Sequence, residues 1–338
     1  MRLYVPLPLD TTRFHSLAPI TSNTAHPPPP AAQFRCAVEG VVPAASLLVT
    51  GASAEQALTR ACALAPALAV GLHLNLTEGM PAADATAVAS LLAPTGEMRG
   101  KFGFRDALAA GEVDMEHVRV EVRAQLDRFR ALHPAHAAPT HLDGHQHVHV
   151  LPRVAGIVAE EAAAAGIRWV RLPSGSEDLS GLAPPRRAFY DGIAADARAA
   201  RAVFEHAGLA APDAFIGYTT MGREATRGSV TAALAASGDA RVVEWMTHPG
   251  YPVVPRPLAG GGALCTCRAA APHHHAAWCS AAGSGVAVSA AAGCGPSDAD
   301  DFAGSDDRAH EAELLTSHAL RAALAAQGWA TAPPPTGP

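Results

Sequence analysis

The sequence holds no run of 18 or more apolar residues, so it offers no helix able to span a bilayer. It holds no basic stripe. Its 25 basic residues stand against 31 acidic ones, for a formal charge of −6, and this argues against nucleic acid as a partner. No GxGxxG and no Walker-type loop occurs, so nucleotide-binding readings lose ground. Cysteine is scarce. Of six, Cys36 and Cys62 lie in the body of the chain, while Cys265, Cys267, Cys279 and Cys294 crowd one segment. That is no disulfide framework for a chain this long, and a reducing, cytoplasmic compartment is the default expectation. Pro6, Pro8 and Asp10 interrupt the apolar stretch a signal peptide needs. Between Met1 and Val38 the only acid is Asp10, which keeps a mitochondrial transit segment as the alternative location.

What is present is a hydrophobic content of 49% in 338 residues, ample for a large core and suited to one α/β barrel or two modest domains. Apolar strands of about five to eight residues alternate with helical patterns. The expected strands are 45–51, 66–79, the segment ending at 142, 167–173, 213–220 and 241–251, with 2–9 as a possible first strand. Expected helices include 54–65 capped by Ser53, 115–132, 152–166 started by Pro152, 190–208, 229–236 and 308–327. This alternation predicts a parallel sheet, open or closed into a barrel. Residues 1–33 are proline-punctuated and read as mostly disordered. Residues 34–256 form the body, 257–299 a low-complexity insertion rich in Gly, Ala, Cys and His, and 300–331 a C-terminal helix returning to the body.

The densest polar feature is PTHLDGHQHVHVLP, Pro139 to Pro152, with His141, Asp143, His145, His147 and His149. Imidazole and carboxylate bind divalent metals and move protons near neutral pH. His73, Arg171 and His248 fall near three further strand ends, and in parallel α/β folds those ends converge on the site. Asp143 is expected to orient a histidine, with His147 and His149 around it, while His141 points into strand packing.

PTHLDGHQHVHVLP, GLHLNLTEG, IRWVRLP and EWMTHPGY, in this order, resemble the YdjC-like carbohydrate deacetylases. SLLVTG and KFGFRDALAAGEVD resemble the animal branch of that family. The resemblance runs from about Gln33 to Tyr251 and resumes near 301–328. It implies a single-domain, distorted TIM-like (β/α) barrel that binds one divalent metal, Mg²⁺ or Zn²⁺. It further implies hydrolysis of N-acetyl groups on sugars such as chito-oligosaccharides. By the same resemblance, the metal histidines fall on His73 and His145. The family's A-D-D-F-G motif, source of a third ligand and a general base, has no counterpart here, and Asp10 is the carboxylate available to stand in. His248 is then the candidate acid, Asp143 its catalytic companion, and Arg171 the candidate substrate contact, expected to hold either a sugar hydroxyl or Asp143. Two other readings are a sugar-binding relative without catalysis and a metallohydrolase of another class, such as a phosphoesterase built on the HQHVH histidines. No oligomeric state follows from the sequence, and a homodimer is compatible with it.

Overall fold

The computed structural model describes residues 1–9, 32–250 and 307–335. Asp10 and the 257–299 insertion lie outside the described residues. In chain order the strands are β1 Arg2–Tyr4, β2 Pro6–Leu9, β3 Ala44–Leu47, β4 Ala69–Leu74, β5 Leu142–Gly144, β6 Ala214–Ile216, β7 Val242–Trp245 and β8 Ala330–Thr331. The helices are α1 Ala32–Glu39, α2 Ala54–Leu64, α3 Lys101–Ala109, α4 Met115–Leu132, α5 Val154–Ala164, α6 Pro184–His206, α7 Arg227–Ala236, α8 Asp307–Thr316 and α9 His318–Ala326. No helix among the described residues is long and apolar enough to cross a membrane.

The strands form two parallel sheets, ordered β2-β3-β4-β5 and β6-β7-β1-β8. Val5, buried between β1 and β2, carries the chain from one sheet to the other. Pro6 and Pro8 cannot donate to a ladder, and accordingly β2 is an edge strand paired only with β3. The expected barrel does not close among the described residues. Isolated bridges run outward from β5, Leu142 to Val170 and Trp169 to Ala210, and stop short of β6. The 167–173 segment, expected as a full strand, has three-residue β5 on one side and the single residue Ala210 on the other. Those neighbours are too short to support a longer ladder.

Helix α4 matches its expected span, because Val118, Val122, Leu126 and Phe129 are all buried along one face. Asp114 caps it, its side chain accepting from Glu116 N–H. Other boundaries shift. Ser53 makes no side-chain capping bond to α2. Helix α5 begins at Val154 rather than Pro152, because residues 145–150 form a tight 3₁₀ turn first. The single C-terminal helix is two, split at Ser317, whose hydroxyl accepts from Leu320 N–H to start α9. Strand β8 was not expected; it pairs with β1.

Parallel register places Ser46 opposite Gly71, His73 opposite Asp143, and Tyr4 opposite Glu244. Side chains two apart on a strand share a face, so Gly71 and His73 point the same way, as do His141 and Asp143. The inner face of the sheets is therefore polar where β3, β4, β5 and β7 meet. Gly71 makes room for it: a Cβ there would lie 2.5 Å from the His141 ring and 2.5 Å from the His141 carbonyl oxygen. Gly71→Ala is expected to destabilise by about 1–3 kcal/mol, since backbone cannot yield cheaply. A chemical-denaturation midpoint equal to that of the wild type would contradict this.

Candidate active site

Two histidines face each other at the strand ends. His73, on β4, presents Nε2 at 3.3 Å from Nδ1 of His145, the residue directly after β5. Each ring has a carboxylate on its other nitrogen. Asp143 Oδ1 lies 2.7 Å from His73 Nδ1, and Glu78 Oε2 lies 3.3 Å from His145 Nε2. Asp143, hydrogen-bonded to His73 Nδ1, fixes the tautomer of that ring and leaves His73 Nε2 as a lone-pair donor facing His145 Nδ1, whereas Glu78 lies near His145 Nε2 without a hydrogen bond to it. His145 and Glu78 keep 27% and 38% of their side chains exposed, so the pair is open on that side only.

Asp143 is wholly engaged beneath. It accepts from Ser46 Oγ at 3.0 Å, pairs with Arg171 Nη2 at 2.8 Å, and holds His73. Burial opposes its charge, but Arg171 and His73 outweigh that and hold the carboxyl well below the usual range. Of the two partners expected for Arg171, the structure shows Asp143. The guanidinium is buried, and its Nε is 2.5 Å from Glu244 Oε1, so it braces two carboxylates and offers no open face to a sugar. With one cation between two buried carboxyls, only one readily keeps its charge. Burial, with the nearby Asp143 charge adding to it, pushes Glu244 up to about 7 despite Arg171. Burial also lowers His73, against the pull of Asp143.

The loop carrying Glu78 is built by Asn75. Its Oδ1 accepts from Thr77 N–H and Glu78 N–H, and its Nδ2 donates to Glu78 O and Thr50 Oγ1. Gln125 on α4 anchors it by accepting from Asn75 N–H and donating to Asn75 O. Glu78 Oε1 accepts from Gln146 Nε2 at 2.6 Å. Burial works against ionised Glu78, yet contacts with His145 and Gln146 and the charge of Lys101 keep its carboxyl below the ordinary value.

The loop after His145 is strained. Gln146, His147 and Arg153 have φ of 52°, 61° and 68°, and His136 is the one other non-glycine residue with positive φ among the described residues. Such backbone persists only where neighbours over-determine it. Arg105 does so by donating to Gln146 O at 2.7 Å. His147 packs edge-on against Phe215 and Tyr218. His149 stacks on Phe204 and its Nε2 lies 3.0 Å from Arg171 O. These two histidines therefore hold the loop and Arg171, and burial keeps both largely neutral, His149 down to about 3. His141 is buried edge-on against Tyr4, as its strand-packing assignment requires.

His248 follows β7. Its N–H donates to Glu311 Oε2 at 2.5 Å, and its carbonyl accepts from Arg308 Nε at 2.8 Å, so α8 sets its position. Burial, then the charges of Arg308, Arg171, His73 and His145, push its imidazole well below the ordinary histidine range. At neutral pH it is thus a proton acceptor, and it becomes an acid only after receiving a proton.

Two imidazole nitrogens bound at about 2.1 Å to one ion sit roughly 3–3.5 Å apart, and the 3.3 Å separation of His73 and His145 fits that. Among the described residues no group of three or more His, Cys, Asp or Glu side chains is arranged to hold a metal. The donors present thus fit an ion as a histidine pair. A polar cavity of about 210 Å³ lies elsewhere, under residues 174–180 against Tyr218 and α6, and none of these histidines lines it.

Sequence reasoning passed over Ser46, Glu78, Gln146 and Glu244. Glu78 carried a signal, since it lies five residues after His73 in a polar loop. Ser46 and Glu244 sit inside apolar strands, where a lone polar residue facing inward is the only sign.

These features define a parallel α/β protein with a histidine–carboxylate centre at the carboxyl ends of its strands. The pattern of the YdjC-like protein family matches residues 26–326, and the chain belongs to that family. It is 41% identical to a carbohydrate deacetylase of Mus musculus over 298 residues, covering 86% of this chain and 84% of that protein. It is also 41% identical to a carbohydrate deacetylase of Homo sapiens, covering 86% and 80%. A chitooligosaccharide deacetylase of Yersinia pestis is 38% identical over 120 residues, 36% of this chain and 44% of that one. A putative cellobiose-phosphate cleavage protein from Enterococcus faecalis shares the fold, with a TM-score of 0.62 at 17% identity over 98% of this chain and 97% of that chain.

Proposed function

We propose that this protein hydrolyses the N-acetyl group of an N-acetylated oligosaccharide at the His73–His145 pair. The observation that carries the reading is the pair itself: two facing nitrogens at 3.3 Å, with Asp143 hydrogen-bonded behind His73 and the Glu78 carboxylate 3.3 Å from His145. Family membership and the names of the relatives supply the substrate class. His73 and His145 would hold a divalent ion, Zn²⁺ or Mg²⁺. When bound, such an ion supplies Lewis acidity for attack of water on the acetyl carbonyl.

The chain's own groups do the rest. Asp143 holds the His73 imidazole in place, and the Glu78 carboxylate lies against His145. Arg171 and Ser46 keep Asp143 ionised. His248, neutral at rest, takes up a proton and returns it to the leaving amine. A distorted TIM-like arrangement, with the site at the strand ends, is the architecture this chemistry expects.

Acetate release from N,N′-diacetylchitobiose, measured with added Zn²⁺ or Mg²⁺, tests the reading. Release that depends on the added ion is the expected result. Release of phosphate from simple phosphoesters with no release of acetate would replace it with the phosphoesterase reading. Sugar binding without turnover at any ion concentration would leave a binding protein.

A further inference from the structure

The proposed chemistry leaves a cluster of aromatic and cationic side chains beside the site unused. Phe102, the second residue of α3, is 47% exposed, and it is the one aromatic side chain exposed among the described residues. A single exposed apolar residue is ordinary on any surface. Phe102 differs because it is held. The Phe102 and Phe189 rings pack edge-to-face with centroids 6.2 Å apart, and Lys101 Nζ lies 5.4 Å over one face of Phe102, so the face offered to a sugar is the other one. Phe189 is itself fixed by Lys101 Nζ at 4.1 Å and Arg105 Cζ at 5.2 Å over its ring. Lys101 is the only lysine in the sequence, against 24 arginines.

The cluster is tied to the site from two directions. Gly100 N–H donates to Thr77 O and Met98 N–H to Gly79 O, so the chain entering α3 runs against the Glu78 loop. Arg105 donates to Gln146 O, Gln146 donates to Glu78, and Glu78 lies against His145. An exposed ring braced at the open edge of a polar site suits a pyranose. The C–H face of a sugar is apolar and weakly positive, which matches the negative face of an aromatic ring. Its hydroxyls would then lie toward the charged neighbours Lys101, Arg105 and Glu78.

We infer that Phe102, backed by Phe189, Lys101 and Arg105, is a stacking platform for the sugar unit next to the one deacetylated. The platform makes the site selective for oligosaccharides over the free N-acetylated monosaccharide. The inference rests on the reading proposed for the His73–His145 pair.

The test measures dissociation constants for N-acetylglucosamine and its β-1,4-linked trimer by calorimetry, alongside acetate release from both. The proteins are wild type, Phe102→Ala and Phe102→Trp. Phe102→Ala is expected to weaken trimer binding about tenfold relative to monomer binding, the scale of one aromatic contact, and Phe102→Trp to restore it. Equal effects on monomer and trimer, or no effect on either, would overturn the platform while leaving deacetylation standing. Wild type that neither binds these sugars nor releases acetate would overturn both.

Discussion

Replacing Arg171 with methionine is expected to cost about 3–5 kcal/mol of stability at pH 7.5, the range found when one partner of a buried ion pair is removed. The side chains of Asp143 and Glu244 are 2% and 1% exposed, and Arg171 is the cation that serves both. Without it, the Asp143 carboxylate is left in a low dielectric with Ser46 and His73, and Glu244, already raised to about 7 by burial, loses the cation that favours its charge. The loss should shrink as pH falls. Removing the cation raises the folded-state value of Asp143 above that of the unfolded chain, so the deficit appears as pH rises and fades when both carboxyls are protonated. Denaturant unfolding of wild type and Arg171→Met at several pH values checks this. A loss below about 1 kcal/mol, the scale of an exposed pair, would show that the pairing contributes little.

Acid should destabilise the metal-free protein steeply below about pH 6.5, the ordinary histidine value. Five histidines, His73, His141, His147, His149 and His248, are lowered in the fold, with burial the first cause in each. His141 falls to about 4 and His149 to about 3. In the unfolded chain all five charge as pH drops through the ordinary value, while in the fold burial opposes their charging. The unfolded state therefore binds more protons, and stability is lost on acidification. Glu244 and Glu311 act in the opposite sense. Both are raised to about 7, mainly by burial, so they add stability at low pH that is lost as pH rises through 7. Five histidines against two carboxyls leave acid destabilisation dominant, at most roughly 4 kcal/mol per pH unit where the slope is steepest. Unfolding midpoints at pH 7.5 and pH 5.5 test this. A midpoint unchanged or higher at pH 5.5 would contradict the burial of these rings as neutral groups.

The sequence made the long periodic elements legible. Helix α4 matched its span because Val118, Val122, Leu126 and Phe129 recur at helical spacing over a long window. The short strands were harder. Ile167 to Pro173 has the composition of a strand, but pairing depends on what lies beside it, and only isolated bridges form. Of the site, the histidines showed because a dense imidazole run is rare. Their roles did not, because HQHVH looks alike at every position. The fold separates them: His145 faces His73, while His147, on a left-handed backbone, turns inward onto Phe215 and Tyr218, and His149 onto Phe204. Arg171 was placed near Asp143 or a sugar, and burial decided for Asp143.

Acetate release from N,N′-diacetylchitobiose, compared between wild type and His145→Ala, bears most directly on the His73–His145 centre. His145 is partly exposed, so the variant should unfold close to the wild-type midpoint. Its rate is expected to fall by about a hundredfold or more, the scale of losing an essential acid–base or ligand group. A folded His145→Ala protein that releases acetate at the wild-type rate would place the chemistry elsewhere in the molecule.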